Sequence, residues 1–159
     1  RMLCKHARVP VVGHFDFIAA FTWSPNFGVH SRLVTKLQRL AGFDAIIMPG
    51  FGERMKITES EVLENVEECY RPMGNIKTCL PVPAGSQWAG STVELYRKLG
   101  SVDFGIVPGR AVFSHPMGPK AGAMSLHQGW EVATRKLSIE DLAREHQELR
   151  EAVRAFGNE

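Results

Sequence analysis

The sequence predicts an α/β fold built on a parallel sheet, and three observations point there. Short apolar runs rich in valine and isoleucine alternate with stretches of helical apolar spacing, four times over. Helix-start signatures stand ahead of the helical stretches at Thr58, Ser91 and Ser138. Each apolar run exits into a loop rich in Gly and Pro. With 159 residues, 44% of them hydrophobic, the chain can bury a core, which excludes intrinsic disorder.

The first unit opens with Arg8-Val-Pro-Val-Val-Gly13, read as a buried strand that ends in Gly13-His14. Its helix falls between Phe27 and Ala41, with Val29, Leu33, Leu37 and Leu40 as the apolar stripe and Gly42 as the stop. The second strand is Ala45-Ile-Ile-Met48, broken by Pro49-Gly50. Thr58-Glu-Ser-Glu61 has the form of a capping box, and Val62, Leu63, Val66 and Tyr70 stripe the helix behind it. The third unit runs from Ile76 to Val82, then Pro83-Ala-Gly85, with Ser91-Thr-Val-Glu94 as a second capping box. The fourth is Val102 to Val107, then Pro108-Gly109, a long loop, and a helix from about Ala121 to Arg135. Ser138-Ile-Glu-Asp141 caps a last helix that runs to Phe156-Gly157.

No linker, repeat block or charge run divides the chain, so residues 1–159 read as one domain. Two architectures fit: a complete four-stranded doubly wound sheet, or part of a (β/α)8 barrel, which needs about 250 residues. The chain opens on Arg1 and enters a strand-like run almost at once, which suggests a piece of something longer. A net charge of +2 gives no reason to expect nucleic-acid or membrane-surface binding. No apolar run is long enough to span a bilayer. Cys4, Cys69 and Cys79 form neither a CxxC nor an even set, which fits small apolar packers in a reducing, cytoplasmic compartment.

Chemistry-capable residues gather after the strands, where both architectures place their sites. His14 ends strand one, with Asp16 in reach; it can act as base, acid or anion ligand, or can simply be satisfied by backbone. Arg54, in the loop after strand two, can reach an anion, although an ordinary βα loop has the same look. Gly85-Ser86 and Gly109-Arg110 follow strands three and four, and small residues there let N–H groups approach a phosphate closely. Turn chemistry alone also favours Gly and Pro, and neither loop is a P-loop. His30, His127 and His146 read as surface or helix-face residues, and the tryptophans as packing.

Three motifs carry a resemblance. Ser114-His-Pro-Met-Gly118 with Ala121-Gly-Ala123, the run Phe27-Gly-Val-His30 to Leu40-Ala-Gly-Phe-Asp44, and Leu80-Pro-Val82 with Gly85 occur in this order. Together they resemble the barrel domain of RuBisCO large chains over almost the whole chain. The resemblance implies an α/β fold that is the C-terminal half of a (β/α)8 TIM barrel, strands five to eight, plus C-terminal helices. Residues 1–159 would then be a single partial domain.

The departures point to the RuBisCO-like (form IV) branch. Phe15 stands where carboxylases carry an arginine, and Ile47 where they carry a phosphate-binding histidine. Ala84 replaces a serine, Ser86 a glycine, and Arg54 falls at the lysine that handles carbon dioxide. The resemblance thus implies an enzyme of the lyase or isomerase type that forms an enediolate on a phosphorylated keto-sugar or sugar acid without fixing carbon dioxide. His14 would be the proton relay or a ligand to a substrate hydroxyl, Arg54 would close on the anionic substrate, and N–H groups around Gly85, Ser86, Gly109 and Arg110 would hold one phosphate. Mg2+ is implied as cofactor, with its ligands upstream of residue 1, so the fragment alone should be inactive; a homodimer is implied for the full-length protein. Two single-phosphate substrates fit: 2,3-diketo-5-methylthiopentyl-1-phosphate for an enolase, and 3-oxo-isoapionate-4-phosphate for a decarboxylase. The rival expectation is a non-catalytic α/β interaction or phosphate-binding scaffold domain.

Overall fold

The computed structural model describes residues 2–22, 24, 26–52 and 57–157. A short helix, α1 (Met2–His6), leads into β1 (Val12–His14), a brief α2 (Ile18–Thr22) and α3 (Ser31–Ala41). Then come β2 (Ala45–Pro49), α4 (Glu59–Tyr70), β3 (Leu80–Ala84) and α5 (Ala89–Leu99). The chain finishes in helices α6 (Gly109–Phe113), α7 (Pro119–Arg135), α8 (Ile139–Glu145) and α9 (Gln147–Phe156). The strands form a parallel sheet in the order β1-β2-β3, with Val12 opposite Ala45 and Ala45 opposite Leu80.

The two faces of the sheet differ. Phe15, Ile46 and Met48 are buried and pack with Val66, Cys69 and Cys79. On the opposite face Val12 is 55% and Leu80 41% exposed, and Ile47 and Val82 are half-buried. Among the described residues, helices therefore cover one side of the sheet and leave an apolar side open.

The fourth apolar run does not become a regular strand. Val102–Val107 contacts β3 through N–H bonds from Gly105 to Pro81 (3.0 Å) and from Val107 to Pro83 (3.1 Å), and one parallel bridge, Ala84 to Val107. Leu80 and Ala84 spend their polar groups on the β2 side: Leu80 N–H donates to Asp44, and the Ala84 carbonyl accepts from Gly50. The alternate residues that face the fourth run are Pro81 and Pro83, and proline has no N–H to give. Half the ladder is chemically absent. Phe104 anchors the run instead, stacked on Trp130 with ring centres 5.3 Å apart.

The apolar stripe of α3 is turned the other way from the reading above. Leu33, Leu37 and Leu40 are 47%, 55% and 43% exposed, while Ser31, Thr35 and Arg39 are buried against α4. Most of those polar groups find partners across the seam. Asn65 Nδ2 donates to Ser31 Oγ at 2.7 Å, Thr35 Oγ1 donates to Asn65 Oδ1 at 2.5 Å, and Arg32 Nε donates to Glu68 Oε2 at 2.8 Å. Arg39 donates to the carbonyls of Glu68, Arg71 (2.9 Å) and Lys77 (3.3 Å). Paired this way, buried polar side chains hold the two helices together, although Arg39 Nε and Glu68 Oε1 stay buried without a partner among the described residues.

Two of the three expected caps form. Thr58 Oγ1 accepts the Glu61 N–H at 3.2 Å and Ser138 Oγ the Asp141 N–H at 3.3 Å, so both cap as expected. Ser91 does not: Trp88 is the N-cap of α5, and the Ser91 hydroxyl, inside the first turn, accepts the Trp88 N–H at 3.3 Å. The Trp88 ring lies over Gly90, where an added Cβ would come within 2.3 Å of it. The long loop expected before Ala121 is mostly helical: α6 starts at Gly109, and α7 starts at Pro119, a residue whose fixed φ suits the first helical position. The last helix breaks at His146, which lets Leu142, Ala143 and Leu149 all join Val93 and Val132 in one cluster.

Candidate functional site

The loops after the strands meet at one edge of the sheet. His14 is the last residue of β1, opposite Ile47, and shares the open face with it. Its backbone carbonyl accepts from Gln38 Nε2 at 3.2 Å, which fixes the strand end while leaving the ring free. The ring is 54% exposed, and Nδ1 lies 2.7 Å from Asp16 Oδ1. A carboxylate on Nδ1 directs the other nitrogen, Nε2, outward, the orientation a proton relay needs. Phe15 between them is buried, so it serves the core and offers nothing to an anion.

Two strand spacings away, roughly 10 Å, β3 ends in a tight turn. Gly85 has φ 83° and Ser86 φ 49°, both in the left-handed region. Ser86 keeps this conformation with a side chain present, which costs about 1–2 kcal/mol. Consecutive residues of this kind aim backbone N–H groups into one concavity, a shape that suits an anion. The bridge between Ala84 and Val107 sets Gly109, the start of α6, one strand spacing to the side. The first-turn N–H groups of a helix, here from Gly109 onward, have no partner within it. The Arg110 side chain turns away and lies over the Phe156 ring, 5.5 Å from its centre. What Arg110 offers the edge is its backbone. Arg54 lies outside the described residues.

The second and third loops are tied together. Gln87 is 1% exposed, and its Nε2 donates to the carbonyls of Phe51 (3.0 Å) and Gly85 (2.6 Å). The Phe51 ring in turn carries Lys98 Nζ 4.5 Å from its centre, and Lys98 pairs with Glu59 at 2.7 Å and with Glu94. Burial works against the Lys98 ammonium, but these two carboxylates outweigh it and raise its pKa. Sequence reasoning passed over Gln87. Its only signal was an amide set between a left-handed turn and a helix start, where carbonyls need donors.

His115, in the most distinctive motif, is structural. It is 4% exposed; Nδ1 accepts the Met117 N–H at 3.1 Å, so Nε2 is the protonated nitrogen and donates to the Glu148 carbonyl at 3.0 Å. His30 caps α3, its Nδ1 accepting the Arg32 N–H at 3.2 Å. Among the described residues no group of three or more His, Cys, Asp or Glu is placed to hold a metal ion, and no helix is long and apolar enough to cross a membrane.

A three-stranded parallel sheet with helices packed on one side defines an α/β protein, the class that places its sites at the carboxyl ends of the strands. Residues 2–156 match the family model for the ribulose bisphosphate carboxylase large chain, catalytic domain, and the chain belongs to that family. Within it, the chain sides with the RuBisCO-like proteins. It is 57% identical over 157 residues to ribulose bisphosphate carboxylase-like protein 2 of Rhodopseudomonas palustris, covering 99% of this chain and 36% of that protein. It is 27% identical over 158 residues to the 3-oxo-isoapionate-4-phosphate decarboxylase of Rhizobium rhizogenes, covering 98% of this chain and 38% of that one. Among solved structures, the dimeric archaeal Rubisco from Hyperthermus butylicus matches with a TM-score of 0.79 at 34% identity, over 99% of this chain and 39% of that one. The chain thus spans little more than a third of the length of these relatives.

Proposed function

We propose that this chain is the half of a (β/α)8 barrel from strands five to eight, within a RuBisCO-like enzyme acting on a phosphorylated keto-sugar or sugar acid. The one-sided sheet supports the barrel reading: the open apolar face of Val12, Ile47, Leu80 and Val82 is the side that faces a barrel interior. A doubly wound sheet would have helices over it. The exposed stripe of α3 fits as well, as the surface that a preceding βα unit would cover.

The observation that carries the chemistry is the placement of His14 on that open face, with Asp16 on Nδ1, level with the two backbone turns. N–H groups around Gly85, Ser86, Gly109 and Arg110 bind the single phosphate and fix the substrate's register. His14 Nε2 then takes or returns the proton next to the carbonyl as the enediolate forms. Arg54 closes on the anionic substrate from the second loop. Among the described residues no donor set fits a Mg2+ ion, so its ligands are assigned upstream of residue 1 and no step here is routed through it. The isolated chain is accordingly inactive. Loss of the carbon-dioxide lysine and of the second phosphate site supports a reaction other than carboxylation. The decarboxylase of Rhizobium rhizogenes among the relatives supports the decarboxylation of 3-oxo-isoapionate-4-phosphate, and enolisation of 2,3-diketo-5-methylthiopentyl-1-phosphate is the other single-phosphate reading. A cytoplasmic homodimer is the assembly this reading carries; the dimeric archaeal neighbour supports the dimer.

The test is His14→Ala in the full-length protein, assayed on both substrates. With the ring 54% exposed, melting should be unchanged while turnover falls about 10²–10⁴-fold. Unchanged turnover removes His14 from the reaction, and a wild-type protein that converts neither substrate overturns the assignment.

A further inference from the structure

The amide of Gln38 holds the His14 backbone from the helix layer. Along β1 the polar groups of successive residues turn to alternate sides. Val11 and Phe15 turn theirs to β2: the Val11 carbonyl accepts from the Asp44 N–H at 2.9 Å, and the Phe15 N–H donates to the Ile47 carbonyl at 3.1 Å. His14 stands one step before Phe15, so its carbonyl points away from β2. Gln38, on α3, reaches that carbonyl with Nε2 at 3.2 Å. The ladder therefore fixes the residue after His14, and a side chain from the following helix fixes His14 itself.

Packing alone does not account for an amide at this position. Gln38 Oε1 is buried and has no hydrogen-bond partner among the described residues. An acceptor left unpaired inside a protein is destabilising, and an apolar side chain of similar volume would fill the space without that penalty. What the amide adds is its donor, and the donor goes to His14. The strand is shaped to receive it. Gly13 is buried, and a Cβ added there would lie 2.2 Å from Gln38 Oε1 and 2.9 Å from the edge of the Phe43 ring. A glycine directly before the histidine leaves the amide its place beside the strand.

We propose that Gln38 is a positioning residue for His14. Its donor holds the His14 peptide, and with it the direction from which the ring extends, so that Nδ1 stays on Asp16 at 2.7 Å and Nε2 keeps one bearing. The role rests on the proton-relay reading of His14. Proton transfer is the step that feels such a bearing, because a displacement on the order of 1 Å in a reacting group can cost about 10²-fold in rate. The turns assigned to phosphate belong to the ends of β3 and the start of α6, away from this tie. Removing the amide should thus lower kcat and spare KM.

The test is Gln38→Met in the full-length protein, which keeps the volume and deletes the donor. Hydrogen exchange read by mass spectrometry should quicken in peptides that carry Phe15 and stay unchanged in those of β3. On whichever of the two phosphorylated substrates the wild type converts, kcat should fall about 10–10²-fold with KM unchanged. In a protein already carrying His14→Ala, Gln38→Met should take away nothing more. Gly13→Ala, which pushes the amide aside without deleting it, should repeat the loss in kcat, and it decides if Gln38→Met does not fold. Unchanged exchange at Phe15 overturns the proposal. So does a loss in kcat that persists in the His14→Ala background, or a lower melting temperature at unchanged kcat. Failure of the relay reading looks different: His14→Ala keeps full turnover, or the wild type converts neither substrate. The positioning role then falls with it, while faster exchange at Phe15 still reports the tie.

Discussion

Gln87 reaches across from the loop after β3 to the Phe51 carbonyl after β2, at 3.0 Å, and so makes two strand-end loops one unit. The same Nε2 holds Gly85, the first residue of the left-handed turn. Gln87→Met keeps the volume and deletes both donors. Leaving two carbonyls short of partners should cost about 1–3 kcal/mol, read by denaturant unfolding of the full-length protein. If the proposed function holds, KM should rise with it, because the turn assigned to the phosphate loses its tie. An unchanged KM would make Gln87 a packing residue only.

Ser86 holds φ at 49° with a Cβ present. Ser86→Gly removes that strain but adds backbone freedom to the unfolded chain, so the net gain should be at most about 1 kcal/mol. Ser86→Val places a β-branched residue in the left-handed region and should lower the melting temperature clearly. Equal melting temperatures for the two variants would mean the turn has relaxed elsewhere.

Arg39 is 1% exposed and serves three carbonyls at the α3–α4 seam and beyond. Arg39→Met leaves those acceptors unpaired and should destabilise by about 3 kcal/mol or more. Equilibrium unfolding checks it. Arg39→Lys should recover little, since one ammonium cannot match a fork of donors.

Tyr70 is pushed up to about 12, first by burial and then by negative neighbours, while its hydroxyl donates to the Asp103 carbonyl at 2.7 Å. The folded value lies above the unfolded one near 10, so its contribution is intact below pH 10 and is lost as pH rises toward 12. Wild type should therefore lose stability over that window more steeply than Tyr70→Phe. Parallel pH profiles would contradict it.

Legibility followed locality. Strand β2 and the caps at Thr58 and Ser138 were readable because each depends on a handful of adjacent residues, whereas the third strand, read from Ile76 to Val82, lies at Leu80–Ala84 and takes in Pro83 and Ala84. The faces of α3 were not, because burial there is decided by Asn65 and Glu68, some thirty residues on. The run Val102–Val107 has a strand's composition, but its ladder is limited by prolines on the neighbouring strand. For α7 the signal was present, Pro119 at a helix start after Gly118, and the proline-rich motif hid it as a loop. The positions of His14 and Gly85 at strand ends followed from the βα rhythm, while Gly109 opens α6 after a run that is not a regular strand. Gln87 did not, since its partners belong to two different loops.

Pro81 and Pro83 have one more consequence, for solubility. Were the last third of the chain to swing open, the bared side of β3 would show carbonyls at these two positions and no matching donors. A foreign strand could bond it in only one direction, so it makes a poor template for edge-to-edge growth. The substitutions that would mend the ladder, at these two prolines, are therefore the ones that would invite fibrils.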